Sequence, residues 1–289
     1  MDNKSITNIL ITGCNGQLGN EMQLLAKDNP QYHYFFTDVE ELDITDEIAI
    51  EEFVEGNNID LIVNCAAYTA VDKAEDNEEL CELLNSTAPG YLAKAIDKRG
   101  GWMVQISTDY VFDGTNHVPY KEDEPTCPNS VYGRTKLKGE KNVVDKCKQS
   151  MIIRTAWLYS IFGNNFVKTM LRLGKERDAL GVVFDQIGTP TYARDLAGII
   201  FTAINQGIVP GTYHFSNEGV TSWYDFTKAI HRIAGVTTCN VRPLHTEEYP
   251  AKANRPQYSV LDKTKTNSNA TLKIFENNSE IIRSLKRTD

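Results

Sequence analysis

The feature that most narrows what this chain can fold into is a glycine triplet set directly behind an apolar run. Asn8-Ile9-Leu10-Ile11-Thr12 reads as a strand, and Gly13-Cys14-Asn15-Gly16-Gln17-Leu18-Gly19 follows it and opens an amphipathic helix. At such a strand-to-helix turn Gly13 permits the tight bend, Gly16 lets the backbone approach a pyrophosphate, and Gly19 lets helix and strand pack closely. The unpaired N–H groups at the helix start then face the anion. Three turn glycines with no ligand are the bland alternative, and the strand-to-helix setting counts against it.

Through residue 155 short apolar runs alternate with amphipathic stretches, the pattern of a parallel sheet covered on both faces. Strands are predicted at Asn8–Thr12, Tyr34–Thr37, Leu61–Asn64, Trp102–Ser107 and Met151–Thr155. Helices are predicted at Gln17–Lys27, Thr45–Glu55, Leu80–Lys98 and Val131–Lys146. With right-handed crossovers this is a Rossmann-type, doubly wound α/β sheet, and residues 1–155 form its dinucleotide-binding part. A further strand and helix, Gly181–Phe184 and Tyr192–Ile204, are expected to return to it, within 180–206. The rest of 156–289 reads as a smaller α+β substrate-binding lobe, with elements at Phe166–Glu176, Gly211–Ser216 and Trp223–Ile233. The last twenty residues, rich in asparagine, are polar enough to fray.

Composition serves mainly to exclude. The 289 residues carry 30 Lys and Arg against 39 Asp and Glu, a formal charge of −9, with 41% hydrophobic and 24% charged residues. Such a chain is globular and long enough for one large domain or two ordinary ones. Its mean field repels polyanions, so neither nucleic acid nor an anionic membrane surface is an expected partner. The start, MDNKSITNILITG, has neither the apolar core of a signal peptide nor a span of about 20 apolar residues. A cytoplasmic protein is therefore expected. Cys14, Cys65, Cys81, Cys127, Cys147 and Cys239 are scattered without a C-x-x-C pair, which argues against a disulfide framework and a zinc cage. They read as buried or incidental thiols.

Several residues gain meaning beside the glycine loop. Asp38 follows the second strand, where a carboxylate accepts from a ribose 2′-hydroxyl and repels a 2′-phosphate, favouring NADH over NADPH. Its alternative is an ordinary place in the acidic stretch from Asp38 to Asp43. Cys65-Ala66-Ala67-Tyr68 ends the third strand with side chains small enough for a flat ring to lie on the backbone. Tyr132 and Lys136 are four apart and share a helix face. A nearby ammonium favours a phenolate, so the pair is expected to draw the tyrosine pKa down and to protonate a carbonyl oxygen. Taken alone, this spacing recurs by chance on solvated helix faces. A strand-end hydroxyl, Thr108, can bond the same oxygen, and Asn85 is placed to anchor a water near Lys136.

The motifs TGCNGQLG, NCAAYTAVDKAE, NSTAPGYLAKA, QISTDYVFDG, PNSVYGRTKLKGE, RTAWLYS, GNNFVKTMLRL and DQIGTPTYARDLA occur in the order found in the extended short-chain dehydrogenase/reductase family. The chain resembles that family over residues 8–265, with STDYVFDG, AVDKAE and GNNF closest to the branch that reduces dTDP-4-dehydrorhamnose. The resemblance implies reduction of the 4-keto group of that nucleotide sugar by NADPH or NADH. It makes Tyr132 the proton donor, Lys136 the residue that orients the nicotinamide ribose, and Thr108 the residue that polarises the ketone. Gly13, Gly16, Gln17 and Leu18 would meet the pyrophosphate, Asp38 the adenosine ribose, and Ala66, Ala67 and Tyr68 the cofactor further along. Val71, Asp72, Asp109 and Trp157 would face the sugar.

A protein charged −9 needs local cations for a nucleotide sugar, and Arg255 or Lys252 is expected to supply them. Some family members hold Mg²⁺ between two subunits through three glutamates. Here only Glu21 has a counterpart, and Tyr192-Ala193-Arg194-Asp195 offers no second glutamate. That puts Mg²⁺ in doubt and leaves monomer and homodimer both open. The neighbouring class on the same fold is the nucleotide-sugar dehydratase or epimerase; dehydratases of this superfamily supply an added acid/base pair, for eliminating water, as Asp and Glu after the strand-end threonine, whereas here Asp109 is followed by Tyr110. A non-catalytic regulatory subunit of the methionine adenosyltransferase type would have no chemical need for Thr108, Tyr132 and Lys136 together.

Overall fold

Ile9, Leu10 and Ile11 are all completely buried, and successive residues of a strand are buried only when both faces of its sheet are covered. They lie in β1 (Asn8–Thr12), the first of twelve strands in the computed structural model, which describes residues 6–268. The next strands are β2 (His33–Thr37), β3 (Leu61–Asn64), β4 (Trp102–Thr108) and β5 (Ser150–Thr155). Further strands follow at β6 (Leu158–Tyr159), β7 (Ala179–Val183), β8 (Ile187–Gly188), β9 (Thr191–Tyr192), β10 (Gly211–His214), β11 (Thr221–Ser222) and β12 (Asn240–Leu244). The α-helices are α1 (Gln17–Ala26), α2 (Glu47–Gly56), α3 (Val71–Ala74), α4 (Glu78–Glu82), α5 (Ala88–Lys98) and α6 (Val131–Lys146). Beyond them come α7 (Phe166–Glu176), α8 (Ala193–Gln206), α9 (Trp223–Ala234) and α10 (Thr264–Ser268).

The central sheet is parallel throughout, in the order β10-β5-β4-β3-β1-β2. Helices α1 and α8 cover one face, where Met22, Leu196 and Ile200 pack on Ile9, Ile11 and Val63. Helices α2, α5 and α6 cover the other, where Ile50, Leu92 and Val143 pack on Leu10, Ile62 and Ile152. Side-chain caps begin several helices: Asp46 accepts from the amides of Ile48 and Ala49, and Ser130 accepts from Gly133. A smaller lobe of two-stranded ribbons packs Val167, Leu180, Phe226 and Ile230 into its own core. Among the described residues no helix is long and apolar enough to cross a membrane.

Two expectations about elements need correction. The strand expected at Gly181–Phe184 does not join the central sheet; β7 pairs with β12 in a separate ribbon. Its residues alternate between exposed and buried, which suits a ribbon with one wet face and not a doubly covered sheet. β10 takes the sixth place instead, pairing Gly211 with Met151 and His214 with Arg154. Helix α8 does return to the first sheet, as expected. The single helix expected at Leu80–Lys98 is two helices joined by a π turn over Leu83–Thr87. Pro89 has no N–H to give the carbonyl of Asn85 four residues earlier, so the helix widens there. The asparagine-rich end lies outside the described residues.

That freed carbonyl leaves no room beside it. A Cβ on Gly139 of α6 would lie 2.0 Å from Asn85 O. Gly139→Ala is therefore expected to cost about 1–3 kcal/mol through overpacking. Thermal unfolding followed by circular dichroism should show Tm lowered by several degrees; an unchanged Tm would contradict this packing.

Candidate active site

Strand order reverses about β1, with β2 on one side and β3 on the other, and ligands of open parallel sheets bind at the carboxyl ends of strands at such a point. Gly13 adopts φ +62°, and a Cβ there would sit 2.7 Å from the Ala66 backbone. The loops after β1 and β3 thus close on each other. Gly16 caps α1 in an extended conformation without side-chain help, leaving the first helical N–H groups for an anion. A cavity of about 330 Å³ opens here, lined by Gly13, Gly16, Asp38, Val39, Ala66 and Ala67 among others. Asp38 Oδ2 accepts from the Asn15 amide at 3.1 Å, tying the end of β2 to the glycine loop. This glycine cradle fits a dinucleotide.

The remaining cofactor candidates stand differently. Leu18 is buried with its side chain in the core under α1, so only its backbone is left for a ligand. The Gln17 side chain turns away to Asn165. Tyr68 is gripped through its backbone: its amide donates to Asn85 Oδ1 at 2.8 Å and its carbonyl accepts from Asn85 Nδ2 at 3.0 Å. Asn85, expected to anchor a water, has its amide committed to this grip. The Tyr68 and Tyr132 rings pack against the same small cluster of Ala74, Cys81 and Val131.

β4 ends at Thr108, and a 3₁₀ turn over Asp109–Val111 follows. A Cβ on Gly133 would lie 2.2 Å from Tyr110 O, so only glycine lets the first turn of α6 approach this turn. That approach sets the Tyr132 phenol beside the Thr108 hydroxyl, which favours its ionised form against burial. Thr108 Oγ1 donates to Asp109 Oδ1 at 3.0 Å and accepts from the Tyr110 amide at 3.3 Å. Asp109 was expected to face the sugar, but it is 1% exposed and lies behind Thr108, with Oδ2 unpartnered. Burial pushes its pKa up to about 6, against hydrogen bonds that favour the carboxylate.

The electrostatics of Tyr132 and Lys136 differ from the expectation. Burial, aided by the Asp109 charge, pushes the Tyr132 phenol above its ordinary pKa, and the Lys136 ammonium does not offset it. In the ligand-free site Lys136 Nζ instead donates to Ile106 O on β4 at 2.6 Å. Burial lowers its pKa to about 8, with Glu140, Cys81 and Cys65 acting in the opposite direction. The phenol is thus a neutral acid, the form a proton donor needs.

A buried carboxylate unforeseen in the sequence supports this pair. Glu140 accepts from Ser107 Oγ at 2.5 Å and from Arg154 Nε and Nη2 at 2.9 and 2.8 Å. Its spacing of four from Lys136 was the available signal, since it places both on one face of α6.

In the smaller lobe a cavity of about 380 Å³ is lined by Phe166, Thr169, Met170, Trp223, Tyr249 and Arg255 among others. Trp157 holds φ +48°, a conformation bulky residues rarely adopt. Its ring stacks on Trp223, with 3.4 Å between centroids. Arg255 reaches the cavity already paired, donating to Asp72 Oδ2 at 2.6 Å and to the Tyr110 hydroxyl at 3.2 Å. Lys252 does not line this cavity and pairs with Asp76 on the surface. Val71 opens α3, beside Asp72.

Glu21 is completely buried. Its Oε1 accepts from Ser160 Oγ at 2.6 Å, its Oε2 is buried without a partner, and the Arg194 charge acts on it. No three His, Cys, Asp or Glu side chains gather to hold a metal among the described residues.

The family model described as the RmlD substrate binding domain matches residues 7–289. The chain belongs to this family. A dTDP-4-dehydrorhamnose reductase from Aggregatibacter actinomycetemcomitans is 42% identical over 267 residues, 89% of this chain and 91% of that relative. The crystal structure of a Clostridium acetobutylicum dTDP-4-dehydrorhamnose reductase superposes with a TM-score of 0.90 at 44% identity, covering 97% of this chain and 98% of that one. A Bacillus anthracis dTDP-4-dehydrorhamnose reductase, solved in complex with NADP, gives a TM-score of 0.90 at 39% identity, with 98% of each chain covered. The RmlD family thus shares this fold across its central sheet and smaller lobe.

The buried lysine generates a test. Because its pKa falls from an ordinary 10.5 to about 8 on folding, the unfolded chain binds this proton more tightly. Stability therefore rises with pH through that window, and the charged form costs stability below it. Lys136→Met is expected to raise the Tm of ligand-free protein at neutral pH, with the gain shrinking towards about pH 10. Equal losses of Tm at both pH values would contradict the assignment.

Proposed function

We propose that the chain is an NAD(P)H-dependent oxidoreductase that reduces the 4-keto group of dTDP-4-dehydro-β-L-rhamnose to give dTDP-L-rhamnose. The observation that carries this reading is the close approach of α6 to the end of β4 at Gly133, which sets the half-buried Tyr132 phenol against Thr108, beside the glycine cradle. A reduced nicotinamide, when bound, supplies the hydride. Gly13, Gly16 and the backbone of Gln17 and Leu18 hold its pyrophosphate, Asp38 its adenosine ribose, and Ala66, Ala67 and Tyr68 its further length. Lys136 exchanges the Ile106 carbonyl for the nicotinamide ribose.

The proton chemistry falls to the chain. Thr108 turns its hydroxyl from Asp109 to the ketone oxygen and polarises it. Tyr132 donates its proton to that oxygen as negative charge develops there. Trp157 and Val71 bound the sugar. Arg255 leaves Asp72 for the diphosphate, and Asp109 holds the Thr108 hydroxyl until the ketone enters. Residues 1–155 act as the dinucleotide-binding part, with much of 156–289 shaping the sugar site.

Purified protein given NADPH and dTDP-4-dehydrorhamnose is expected to consume the cofactor; no consumption with intact substrate would sink the reading. Tyr132→Phe should lower kcat by about 10²–10⁴ while cofactor affinity stays nearly unchanged, and wild-type turnover would show the acid to be misassigned. Asp38→Asn removes the charge that opposes a 2′-phosphate. It should raise kcat/KM for NADPH relative to NADH, and an unchanged ratio would remove Asp38 from cofactor choice.

A further inference from the structure

The GNNF segment carries a residue that the proposed chemistry leaves unused. Asn165 caps α7: its Oδ1 accepts from the Lys168 amide at 3.1 Å. Its Nδ2 donates to Gln17 Oε1 at 3.0 Å and to Ser160 O at 2.7 Å. Gln17 is the first residue of α1, next to Gly16 in the wall of the cofactor groove. Helix α7, in turn, gives Phe166, Thr169 and Met170 to the cavity of the smaller lobe. Phe166 leans on Trp223 at 4.5 Å between ring centroids, and Trp223 stacks on Trp157.

One amide therefore joins the start of the glycine-loop helix to the start of the helix that walls the second cavity. The joint is crowded as well. A Cβ on Gly163, which holds φ +60°, would lie 3.1 Å from Gln17 Cγ.

We propose that the Gln17–Asn165 hydrogen bond couples the two ligand sites, so that a dinucleotide in the glycine groove sets α7 for binding the nucleotide sugar. The inference rests on the proposed function and names how its two sites communicate. An anion held on the N–H groups at the start of α1 restrains that turn and the Gln17 side chain with it. Asn165 is then held in place, and the wall formed by Phe166 and Trp223 has less ordering left to undergo when a nucleotide enters. By linkage the effect is reciprocal: each ligand tightens the other by the same factor. Gln17 and Asn165 are positioning residues in this scheme, because neither side chain touches the reacting atoms.

Calorimetric titration of the full chain with dTDP, with and without saturating NADP⁺, reads this coupling without turnover. Wild-type protein is expected to bind dTDP at least about fivefold tighter when NADP⁺ is present, the lower end of usual coupling. Gln17→Met removes the acceptor but leaves the Asn165 cap intact, and should bring the ratio to about one. Gln17→Glu keeps an acceptor and should keep the wild-type ratio even where its charge weakens NADP⁺ binding. A wild-type ratio of about one, or an undiminished ratio in folded Gln17→Met, overturns the coupling alone. Failure of the wild-type chain to bind either ligand would overturn the reading of the site and the coupling with it.

Discussion

The Glu140 carboxylate is where the three elements supporting the site meet. It is buried on α6 and accepts from Ser107 on β4 and from both Nε and Nη2 of Arg154 on β5. Removing one partner of such a pair strands a buried charge, at a typical cost of about 3–5 kcal/mol. Ser107 immediately precedes Thr108, and Lys136 lies one helical turn before Glu140. The ion pair therefore sets how far the acid on α6 stands from the hydroxyl at the end of β4. Its negative charge also raises the proton affinity of Lys136 against burial. The Arg154 guanidinium lies over the Phe112 ring and helps hold buried His214 neutral, with its pKa lowered to about 3.

Features set by local physics were legible in the sequence. The first five strands stand within a residue of their expected ends, because strands buried on both faces write unbroken apolar runs. Helix α6 matches at both ends, with Ser130 as its cap. The glycine loop, Asp38 and the two alanines converge on one cavity as their order in a βαβ unit implied. Long-range pairings were not legible. Trp157 meets Trp223, and Arg255 meets Asp72 183 residues away, through tertiary packing that no spacing encodes. The sixth strand was misplaced because β7, Ala179-Leu180-Gly181-Val182-Val183, writes the stronger apolar run, while β10, Gly211-Thr212-Tyr213-His214, is largely polar and takes its place through pairing with β5. The protonation of Tyr132 depends on burial, which a helical spacing of four does not report.

The charge of −9 acquires a local meaning. At the glycine loop an anion meets backbone N–H groups, which need no side-chain cation. At the second cavity the Arg255 guanidinium is paired with Asp72. Neither arrangement offers an unpaired side-chain cation: backbone N–H groups stand at one and a paired guanidinium at the other. They lie on opposite sides of the Gln17–Asn165 contact, which is the direct polar link from the glycine-loop helix to the wall of the second cavity.

The central claim is that the ends of β1, β3 and β4 bring a ketone, an acid and a bound nicotinamide to one point. Its most direct test uses NADPH or NADH deuterated at the transferred position, with dTDP-4-dehydrorhamnose as acceptor and mass and NMR spectra of the product. The account predicts one deuterium, carried at the sugar C4. Product formed without deuterium at C4, or with deuterium elsewhere on the sugar, would contradict it.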